Sequence, residues 1–539
     1  MALLFQLTLR YANIIKSGLP IMTDTSNLPL ARRMRPYLFL IIALGMCLRL
    51  VYFSEDIGGS HTFRQAMVAN QIDTLKSQPY PGPKLGFLER YDQTYDYGVV
   101  FYDTPIYQYI AAKISDLFDI SGVKAARLVN LIVYAGMSLV TYEILIGIGL
   151  GLTAPLLTVA LFALSPLAIQ NIIGIYPDTL ATLAAYLSFY FLMRYERERS
   201  WRYLAAALVF GVVCTLIKSS IYLVFMVAYG WKLVWTSGWR VIKRVDVMLF
   251  GLLIGASAAA FVLEREYFNY GFLLDAPNYN ESLRLDWFFG TKSRIDLSEW
   301  SQVGQRLTFE YLFPIFMPLA LIGLWRVVTQ FIKKPAEPQL TLLGLVIGSL
   351  VALVIFFNVI VVHDYYALPF LPIYCALASI GVLYAYSFIG MPVSSYPRAY
   401  KAVAVIAVFG SVYYAYSLPS LNYIGNKISI ETGKSVQELV PTNGHLFYFL
   451  GADYVSPDYL YYTRRRGVLA NISNADNDFV TKTMKDHNWD PGETYLLANA
   501  IRLQPQQQEK LKARLDKYDL KEIGTSFDNG IVYKLTPRS

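Results

Sequence analysis

The chain has 539 residues, of which 55% are apolar and only 16% are charged, with a mean hydropathy of +0.38. Because a soluble protein carries roughly 25% charged residues, this is the composition of a membrane protein. The formal net charge of +8 would suggest nucleic acid in a soluble chain, but here it must first be tested against membrane topology. The cysteines all lie in apolar runs, which argues against a disulfide scaffold or a cysteine metal site: Cys47, Cys214 and Cys375.

Apolar runs in the first four fifths of the chain predict a polytopic membrane protein. Residues 1–35 read as a cytoplasmic N-terminal segment, and the first apolar run reads as a retained anchor because no small-residue cleavage site follows it. Crossing a bilayer takes about 20 mostly apolar residues. Eleven runs are candidate spans, near residues 36–53, 125–146, 147–164, 178–194, 203–218, 219–235, 246–263, 310–328, 340–361, 367–389 and 400–418. The second and third runs, and the fifth and sixth, are nearly continuous, so the division of each pair is open.

The distribution of basic residues tests this count independently, because an error of one span would invert every later loop. With the N-terminus inside, the inside segments hold Arg32, Arg33, Arg35, Arg194, Arg197, Arg199, Arg202, Lys232, Arg240, Lys243, Arg244, Arg326, Lys333, Lys334, Arg398 and Lys401. The outside loop at residues 54–120 holds nine acidic residues against five basic ones. The excess positive charge is therefore a topology signal, and we predict a plasma (inner) membrane protein that does not bind nucleic acid.

The organisation predicted from these runs has three parts. The cytoplasmic segment 1–35 precedes an all-α transmembrane module at 36–418, which includes outer loops at 54–124 and 264–309. A soluble extracytoplasmic tail follows at 419–539. Its strand-like runs, His445–Leu450, Thr494–Ala498 and Ile531–Leu535, alternate with helical stretches such as Gln506–Tyr518, which predicts a small α/β domain.

Ionisable residues at the ends of spans are costly near lipid, so each is a candidate functional residue. The first outside loop opens with Glu55 and Asp56 and continues with a run that contains His61, Arg64 and Gln65. Thr62 can cap a helix whose apolar positions, Phe63, Ala66, Met67 and Ile72, would lie on the membrane plane. This segment could also be an interfacial helix with solvated acids.

Two further acids lie beside prolines on the same predicted side. Asp103 directly precedes a helix that starts near Pro105 and carries Tyr107, and Asp178 follows Pro177 at the outer end of the fourth span. Proline is routine at a helix start, but nothing in that role requires Asp103. Asp178 has the alternative explanation that a carboxylate stabilises a helix N-terminus.

Two more groups occupy the outer ends of later spans. Lys218 lies between two hydrophobic runs without an adjacent acid, which suits a phosphate partner, although snorkelling to the interface also explains it. The last short outside loop packs four polar or aromatic residues between two long spans: His363, Asp364, Tyr365 and Tyr366. Tyrosines alone would be an interfacial belt, but a His-Asp pair in the same turn is not typical of one. Such a set could bind a phosphate, stack sugar rings and supply a general base.

These features in this order resemble the GT-C membrane glycosyltransferases, in particular the branch with the protein O-mannosyltransferases and the lipid A aminoarabinose transferase. The resemblance covers residues of about 36 to 390 and loosely the tail. His61-Thr62-Phe63-Arg64-Gln65-Ala66 is similar to the Trp-Arg-Gln-Ala variant of bacterial members, with Phe63 in place of Trp. The resemblance implies the GT-C fold with about 11 transmembrane helices and a C-terminal extracytoplasmic α/β domain.

Carried onto this chain, the resemblance places the catalytic acid of the first loop at Asp56. The other positions that match are Asp103, Asp178, Lys218 and Tyr366. Some relatives hold a divalent metal, for which Asp103 and His363 would be candidate ligands. No cofactor is otherwise implied.

The sequence therefore predicts an enzyme that transfers a sugar from a polyprenyl-phosphate donor to an envelope glycan, lipid or protein at the outer face. Asp56 would activate the acceptor, and Asp103 and Asp178 would position the donor or a metal. Lys218 and Arg64 would hold the phosphate. The main competing hypothesis is a transporter or flippase of a lipid-linked or anionic solute, although no internal repeat is visible. The chain could also be a non-catalytic receptor, or a ligase that moves a whole glycan.

Overall fold

The computed structural model describes residues 28–54, 56–58, 61–77, 92–93, 103–268, 292–389, 409–414, 417, 427–450, 458–471, 478–486, 489–498 and 505–538. Glu55, a predicted substrate-binding residue, lies outside the described residues, as do residues 400–408 of the last predicted span.

Most of the described chain is helical. The helices are α1 Leu28–Leu50, α2 Thr62–Ser77, α3 Ile106–Phe118, α4 Gly122–Gly147, α5 Thr153–Leu164, α6 Pro166–Ile173, α7 Pro177–Glu198, α8 Trp201–Ser237, α9 Val245–Phe268, α10 Lys292–Ile295, α11 Leu297–Phe309, α12 Phe316–Lys333, α13 Glu337–Ile355, α14 Phe357–Val362, α15 Leu371–Ile389, α16 Lys427–Leu439, α17 Asp458–Thr463, α18 Phe479–Asp486 and α19 Pro505–Arg514. Short 3₁₀ helices occupy Gly238–Lys243, Asp364–Phe370 and Pro491–Glu493. The strands are β1 Asp92–Gln93, β2 His445–Leu450, β3 Arg466–Asn471, β4 Thr494–Ala498, β5 Tyr518–Thr525 and β6 Ile531–Pro537.

The chain divides into two compact units. The helical unit comprises Met1–Ser54, Arg127–Leu263 and Tyr279–Pro419, and the mixed unit comprises Glu55–Ala126, Glu264–Asn278 and Ser420–Ser539. This division differs from the predicted one, which assigned the loop at 54–124 to the transmembrane module. Strand β1 of that loop pairs in parallel with β3 of the tail, so the loop and the tail share one sheet.

Proline and serine set the helix breaks around residue 165. Ser165 has an extended conformation and its side chain accepts a hydrogen bond from the backbone N–H of Ala168, while Pro166 occupies the first turn of α6. Because proline has no N–H and restricts the residue before it, a helix cannot continue through this point undisturbed. Helices α5 and α6 are consequently bent by 59° relative to each other.

Helix α8 is a helical hairpin. Its backbone is non-helical at Lys218, with φ −157° and ψ 86°. Ser188 of α7 contacts both arms, since its hydroxyl donates to Ala207 O at 2.6 Å and lies 2.5 Å from the hydroxyl of Tyr222. The second arm returns along α7, as Phe225 packs on Phe189. The break agrees with the predicted division into spans 203–218 and 219–235.

Five described segments are long and apolar enough to cross a membrane, and the bent α5–α6 pair would make a sixth. The five are Gly122–Gly147, Trp201–Lys243, Phe316–Lys333, Glu337–Ile355 and Asp364–Ser387. The segment Trp201–Lys243 contains both arms of the hairpin, and each arm of 17 to 19 residues has a length of about 26–29 Å, close to the thickness of the hydrocarbon core. The chain is an integral membrane protein. The predicted total of eleven spans stays a prediction.

The mixed unit contains a six-stranded sheet in the order β1-β3-β2-β4-β6-β5. Strands β1 to β4 pair in parallel, whereas β6 is antiparallel to β4 and β5. Alternate residues of β2, Phe447 and Phe449, are fully buried in a core with Trp489 and Leu496. This confirms the α/β tail that the sequence predicted.

Candidate functional site

In the helical unit, the segment that presents Asp178 is held by polar residues of α4. Arg127 Nε donates to Ile173 O at 3.0 Å, and Asn130 Nδ2 donates to Gly174 O at 2.5 Å. The hydroxyl of Thr179 in turn donates to Asn130 Oδ1 at 2.7 Å. These hydrogen bonds fix the chain on both sides of Asp178, so its side chain starts from a rigid backbone.

Asp178 is a buried carboxylate with few partners. It lies in the first turn of α7 with 0% of its surface exposed. Lys218 Nζ, at the turn of the α8 hairpin, lies 3.6 Å from Asp178 Oδ1. Neither carboxylate oxygen accepts a hydrogen bond from any residue in the described part of the chain. A buried carboxylate that accepts no hydrogen bond bears most of its desolvation cost, so the hydrogen-bonding capacity of Asp178 is not used by the described residues.

Aromatic rings of the late loop cover the lysine. Lys218 Nζ lies 4.6 Å from the ring centroid of Tyr366. Tyr365 stacks on Tyr176 at 5.2 Å and on His363 at 5.2 Å. We call the set Tyr176, Asp178, Lys218, His363, Tyr365 and Tyr366 the Asp178 cluster. The predicted grouping of Asp178, Lys218 and the late loop is therefore present within this unit.

Asp364 of the same loop is also buried, but its side chain contacts helix α6. Its side chain accepts a hydrogen bond from Gln170 Nε2 of α6 at 3.4 Å. The second helix that approaches the loop is α7, because the hydroxyl of Tyr186 donates to Pro369 O at 3.0 Å. These contacts attach the 3₁₀ helix Asp364–Phe370 to the helices that carry the rest of the cluster.

In the mixed unit, the backbone beside Asp56 is held from two directions. Asp56 is exposed, whereas Ile57 is 1% exposed. The hydroxyl of Tyr462 donates to Ile57 O at 2.8 Å, and Gln65 Nε2 donates to Gly58 O at 2.8 Å. His61, which precedes α2, has a positive φ of 53°, a conformation that a non-glycine residue keeps only where its surroundings impose it.

Arg64 and Asp103 form a buried ion pair in the same unit. Arg64 Nη2 contacts Asp103 Oδ2, and the two side chains are 7% and 1% exposed. A guanidinium paired with a buried carboxylate has its charge neutralised locally. The expectation that Arg64 holds a phosphate stays a prediction, and in the structure its guanidinium contacts Asp103.

The structure also places the apolar face of α2 and the predicted substrate-binding residue Tyr107. Ala66, Met67 and Ile72 were expected on the membrane plane, but they are buried in the mixed unit, where α2 packs between α3 and α17. Tyr107 was expected to bind substrate. It is 0% exposed and its hydroxyl donates to Ala126 O at 3.1 Å, so its role here is to fix α3 on the start of α4.

The residues proposed for a divalent metal do not fit one in the described chain. Asp103 is paired with Arg64, and His363 stacks on Tyr365. Over the described ranges, no group of three or more His, Cys, Asp or Glu side chains could hold a metal ion. We therefore derive no step through a metal.

Sequence reasoning missed Tyr176, Gln170 and the α4 residues that hold the Asp178 segment. Arg127 and Asn130 gave a usable signal, because a charged and an amide side chain stand in the first part of the apolar run 125–146. Gln170 gave a weaker one, as one of two adjacent amides, with Asn171, in the apolar stretch that follows Pro166.

The chain has the GT-C fold. The chain is similar to the crystal structure of ArnT from Cupriavidus metallidurans bound to undecaprenyl phosphate, with a TM-score of 0.58 and 12% identity over 92% of this chain and 98% of that protein. It is also similar to the Archaeoglobus fulgidus oligosaccharyltransferase tethered with an acceptor peptide, with a TM-score of 0.56 and 11% identity over 93% of this chain and 74% of that one.

A third similar structure is AglB from Archaeoglobus fulgidus in complex with an inhibitory peptide and a dolichol-phosphate, with a TM-score of 0.55 and 11% identity over 93% of this chain and 75% of that one. The family model of dolichyl-phosphate-mannose-protein mannosyltransferase matches residues 103–263. No curated protein sequence matches the chain significantly.

Proposed function

We propose that this protein is a GT-C glycosyltransferase that transfers a sugar from a polyprenyl-phosphate donor to an acceptor at the extracytoplasmic face. The fold supports this class, and the matched family region contains Asp103, Asp178 and Lys218. Two similar structures, of ArnT and AglB, are described with undecaprenyl phosphate and dolichol-phosphate. We also propose that the N-terminus is cytoplasmic, as the basic residues of the sequence indicate.

The observation that carries the proposal is the buried Asp178 carboxylate, which accepts no hydrogen bond from a described residue although Lys218 lies 3.6 Å away. A phosphate needs a cation, and a sugar offers hydroxyl donors. Lys218 would hold the phosphate, and Asp178 would accept hydrogen bonds from hydroxyl groups of the sugar. The partly buried ring of Tyr366 would stack on the sugar or pack on the first isoprene unit.

The acceptor is activated by Asp56 in this proposal. Its carboxylate is exposed, so an acceptor hydroxyl or amine can reach it. The acceptor gives its proton to Asp56 as its oxygen or nitrogen forms a bond to the anomeric carbon. The bond from that carbon to the phosphate oxygen breaks, and polyprenyl phosphate leaves with the electron pair. Because the leaving phosphate keeps its charge, a cation beside it lowers the barrier.

The sugar is a hexose or a pentose, and the acceptor is an envelope glycan, a lipid or a protein. No residue in the Asp178 cluster is specific for one sugar, since carboxylate, lysine and tyrosine contacts suit both hexoses and pentoses. The donor class is thus the testable part of the proposal.

Donor turnover tests the function. Purified protein in lipid vesicles would be incubated with a panel of undecaprenyl-phosphate hexoses and pentoses plus a membrane extract, and the release of undecaprenyl phosphate would be measured. We expect release with at least one donor and a loss of at least about 100-fold in Asp56→Asn, because general-base catalysis contributes that much. The control is Asp116→Asn, which changes an exposed acid paired with Lys113 on α3 and should keep the wild-type rate.

Release from no donor, together with saturable uptake of a solute into the vesicles, would favour the transporter. Equal loss in Asp116→Asn and Asp56→Asn would remove Asp56 from the catalytic role while leaving the transferase class standing.

A further inference from the structure

The first outer loop and the C-terminal tail are joined within the mixed unit by helix packing, strand pairing and side-chain contacts. Helix α17 of the tail packs on α2, and β1 of the loop pairs with β3, where Asp92 is opposite Val468 and Gln93 is opposite Leu469. The tail residues that make contact lie about 400 positions after the loop, as in the pair Ile57 and Tyr462, which are 405 positions apart. Such contacts are costly in chain entropy, so they must be offset by burial and by hydrogen bonds.

Tyr462 is the tail residue that contacts the chain beside Asp56. Its side chain is buried, with 7% of the residue exposed, and its hydroxyl donates to Ile57 O at 2.8 Å. Gln65 Nε2 donates to the next carbonyl, Gly58 O, at 2.8 Å. Two consecutive carbonyls directly after Asp56 are therefore held by donors from two different elements.

Tyr462 is itself fixed by α16. Gln437 Nε2 donates to Tyr462 O at 2.5 Å. A Cβ at Gly433 would collide with the Cβ of Tyr462, so the absence of a side chain at Gly433 lets α16 approach this closely. Tyr462 thus belongs to a closely packed part of the tail, and its hydrogen bond restrains the carbonyl of Ile57.

An ion pair strengthens the same attachment. Arg464 Nη1 lies 2.5 Å from Asp73 Oδ2 of α2, and the guanidinium lies 4.4 Å from the ring centroid of Tyr461. Arg464 has a φ of 51°, in the left-handed region. A non-glycine residue is held there only when its surroundings determine it, which indicates that the end of α17 is tightly constrained.

We propose that Tyr462 is a positioning residue that orients Asp56 through the carbonyl of Ile57, so that the C-terminal tail is part of the catalytic apparatus. This inference rests on the proposed function, because it takes Asp56 as the base. Tyr462 does not touch the substrate. It acts by keeping the exposed carboxylate in one orientation, and a base displaced by about 1 Å loses a large part of its rate advantage.

Tyr462→Phe tests the inference, since it removes only the hydroxyl and keeps the ring. We expect kcat to fall about tenfold to 100-fold with an unchanged KM for the donor, because the proposed function assigns the donor to Lys218 and Asp178 and the acceptor to Asp56. Backbone hydrogen exchange at residues 56–58 should become faster. The matched control is Tyr495→Phe, at a buried tyrosine of β4 in the same unit, which should change neither quantity.

A double-mutant cycle separates positioning from general stability. If Tyr462 acts through Asp56, Tyr462→Phe should have little further effect on kcat in an Asp56→Glu background, where the carboxylate is already displaced. Fully multiplicative losses in the double variant, or an equal loss in Tyr495→Phe, would overturn the positioning role.

The failure of this inference is distinguishable from the failure of the proposed function. Wild-type protein that turns over a donor, with Tyr462→Phe unchanged in kcat and in exchange, overturns the inference and leaves the function. Wild-type protein that turns over no donor removes the function, and the positioning role is overturned with it whatever the exchange at residues 56–58.

Discussion

The two ends of helix α7 carry acids with different hydrogen-bond partners, a buried Asp178 and a partly buried Glu196. Glu196 accepts hydrogen bonds from Arg244 at 2.8 and 3.0 Å, from Tyr229 at 2.7 Å and from Arg199 at 2.9 Å. Asp178, about 27 Å away along the helix, accepts none from a described residue. A satisfied carboxylate stabilises the fold, whereas an unsatisfied one costs stability and is free for a ligand. The difference in accepted hydrogen bonds separates a structural network from a candidate binding site.

The end of α7 that carries Glu196 contacts an arginine, Arg244, that stays charged. Arg244 follows the 3₁₀ helix Gly238–Lys243, and its hydrogen bonds to Glu196 and Asp246 raise the pKa of its guanidinium further above the usual value. Arg244 therefore keeps its positive charge at any pH at which the protein is folded.

Replacing each acid by its amide should give the largest difference in donor turnover between the two ends of α7. We expect Asp178→Asn to lower donor turnover by at least about 100-fold, because its carboxylate makes charge-assisted hydrogen bonds to the sugar in the proposed site. Glu196→Gln should keep turnover within about threefold, since it lies at the other end of α7. Initial rates of undecaprenyl phosphate release measure both. Equal losses in the two variants would mean that Asp178 has only a structural role.

Replacing the two lysines of the α8 hairpin should give the next largest difference in donor turnover. Lys218→Met should lower turnover by about 30-fold through loss of the phosphate contact. Lys232→Met is the matched control, because Lys232 pairs with Glu337 at 2.8 Å in the second arm and Glu337 keeps its contact with Arg197. The KM for the donor should rise in the first variant alone. An unchanged KM in Lys218→Met would place the phosphate elsewhere.

Substitutions of two tyrosines with cationic neighbours test the position of the site further. Tyr366→Leu should raise the KM for the donor by roughly tenfold, because a desolvated cation–π contact contributes about 1–2 kcal/mol to holding Lys218. Tyr384→Leu removes a similar contact with Arg326, at 4.8 Å, in the same unit, and should leave KM unchanged. A common shift in both variants would point to general loosening of the helical unit.

The variants Asp178→Asn and Glu196→Gln should rank in the opposite order for loss of stability and for loss of donor turnover. Glu196→Gln removes one of the two anions that Arg244 and Arg199 share, the other being Asp246, so we expect the free energy of unfolding to fall by about 1–3 kcal/mol. Asp178→Asn should cost less, because it removes a carboxylate that accepts no hydrogen bond from a described residue. Thermal unfolding in detergent compares the two variants. A larger loss in Asp178→Asn would contradict the distinction between the two ends.

The fold was predictable where the signal is local. Strands His445–Leu450 and Thr494–Ala498 have the predicted bounds, and the hairpin breaks at Lys218 as the interrupted apolar run indicated. Strand β3 was missed because Arg466–Asn471 has a short apolar stretch after three arginines, and its strand state depends on pairing with β2. Strand β5 was missed because it is largely exposed and polar.

The site was predictable only as separate residues. Asp178, Lys218 and Tyr366 stood out because each lies at the end of an apolar run. Pairing between distant residues left no sequence signal, as with Arg64 and Asp103, 39 positions apart, and with Tyr462 and Ile57. Such contacts are set by the packing of whole elements, which a single sequence does not report.

Photo-crosslinking of a polyprenyl phosphate tests the Asp178 cluster most directly, because it needs neither the sugar nor the acceptor. The protein in vesicles would be irradiated with undecaprenyl phosphate that carries a photoreactive group near the phosphate, and the modified peptides would be mapped by mass spectrometry. We expect adducts on peptides with Tyr176, Lys218 or Tyr366, reduced at least about tenfold in Lys218→Met and unchanged in Lys232→Met. Adducts confined to other peptides, with equal yield in both variants, would contradict the assignment of the Asp178 cluster as the phosphate site.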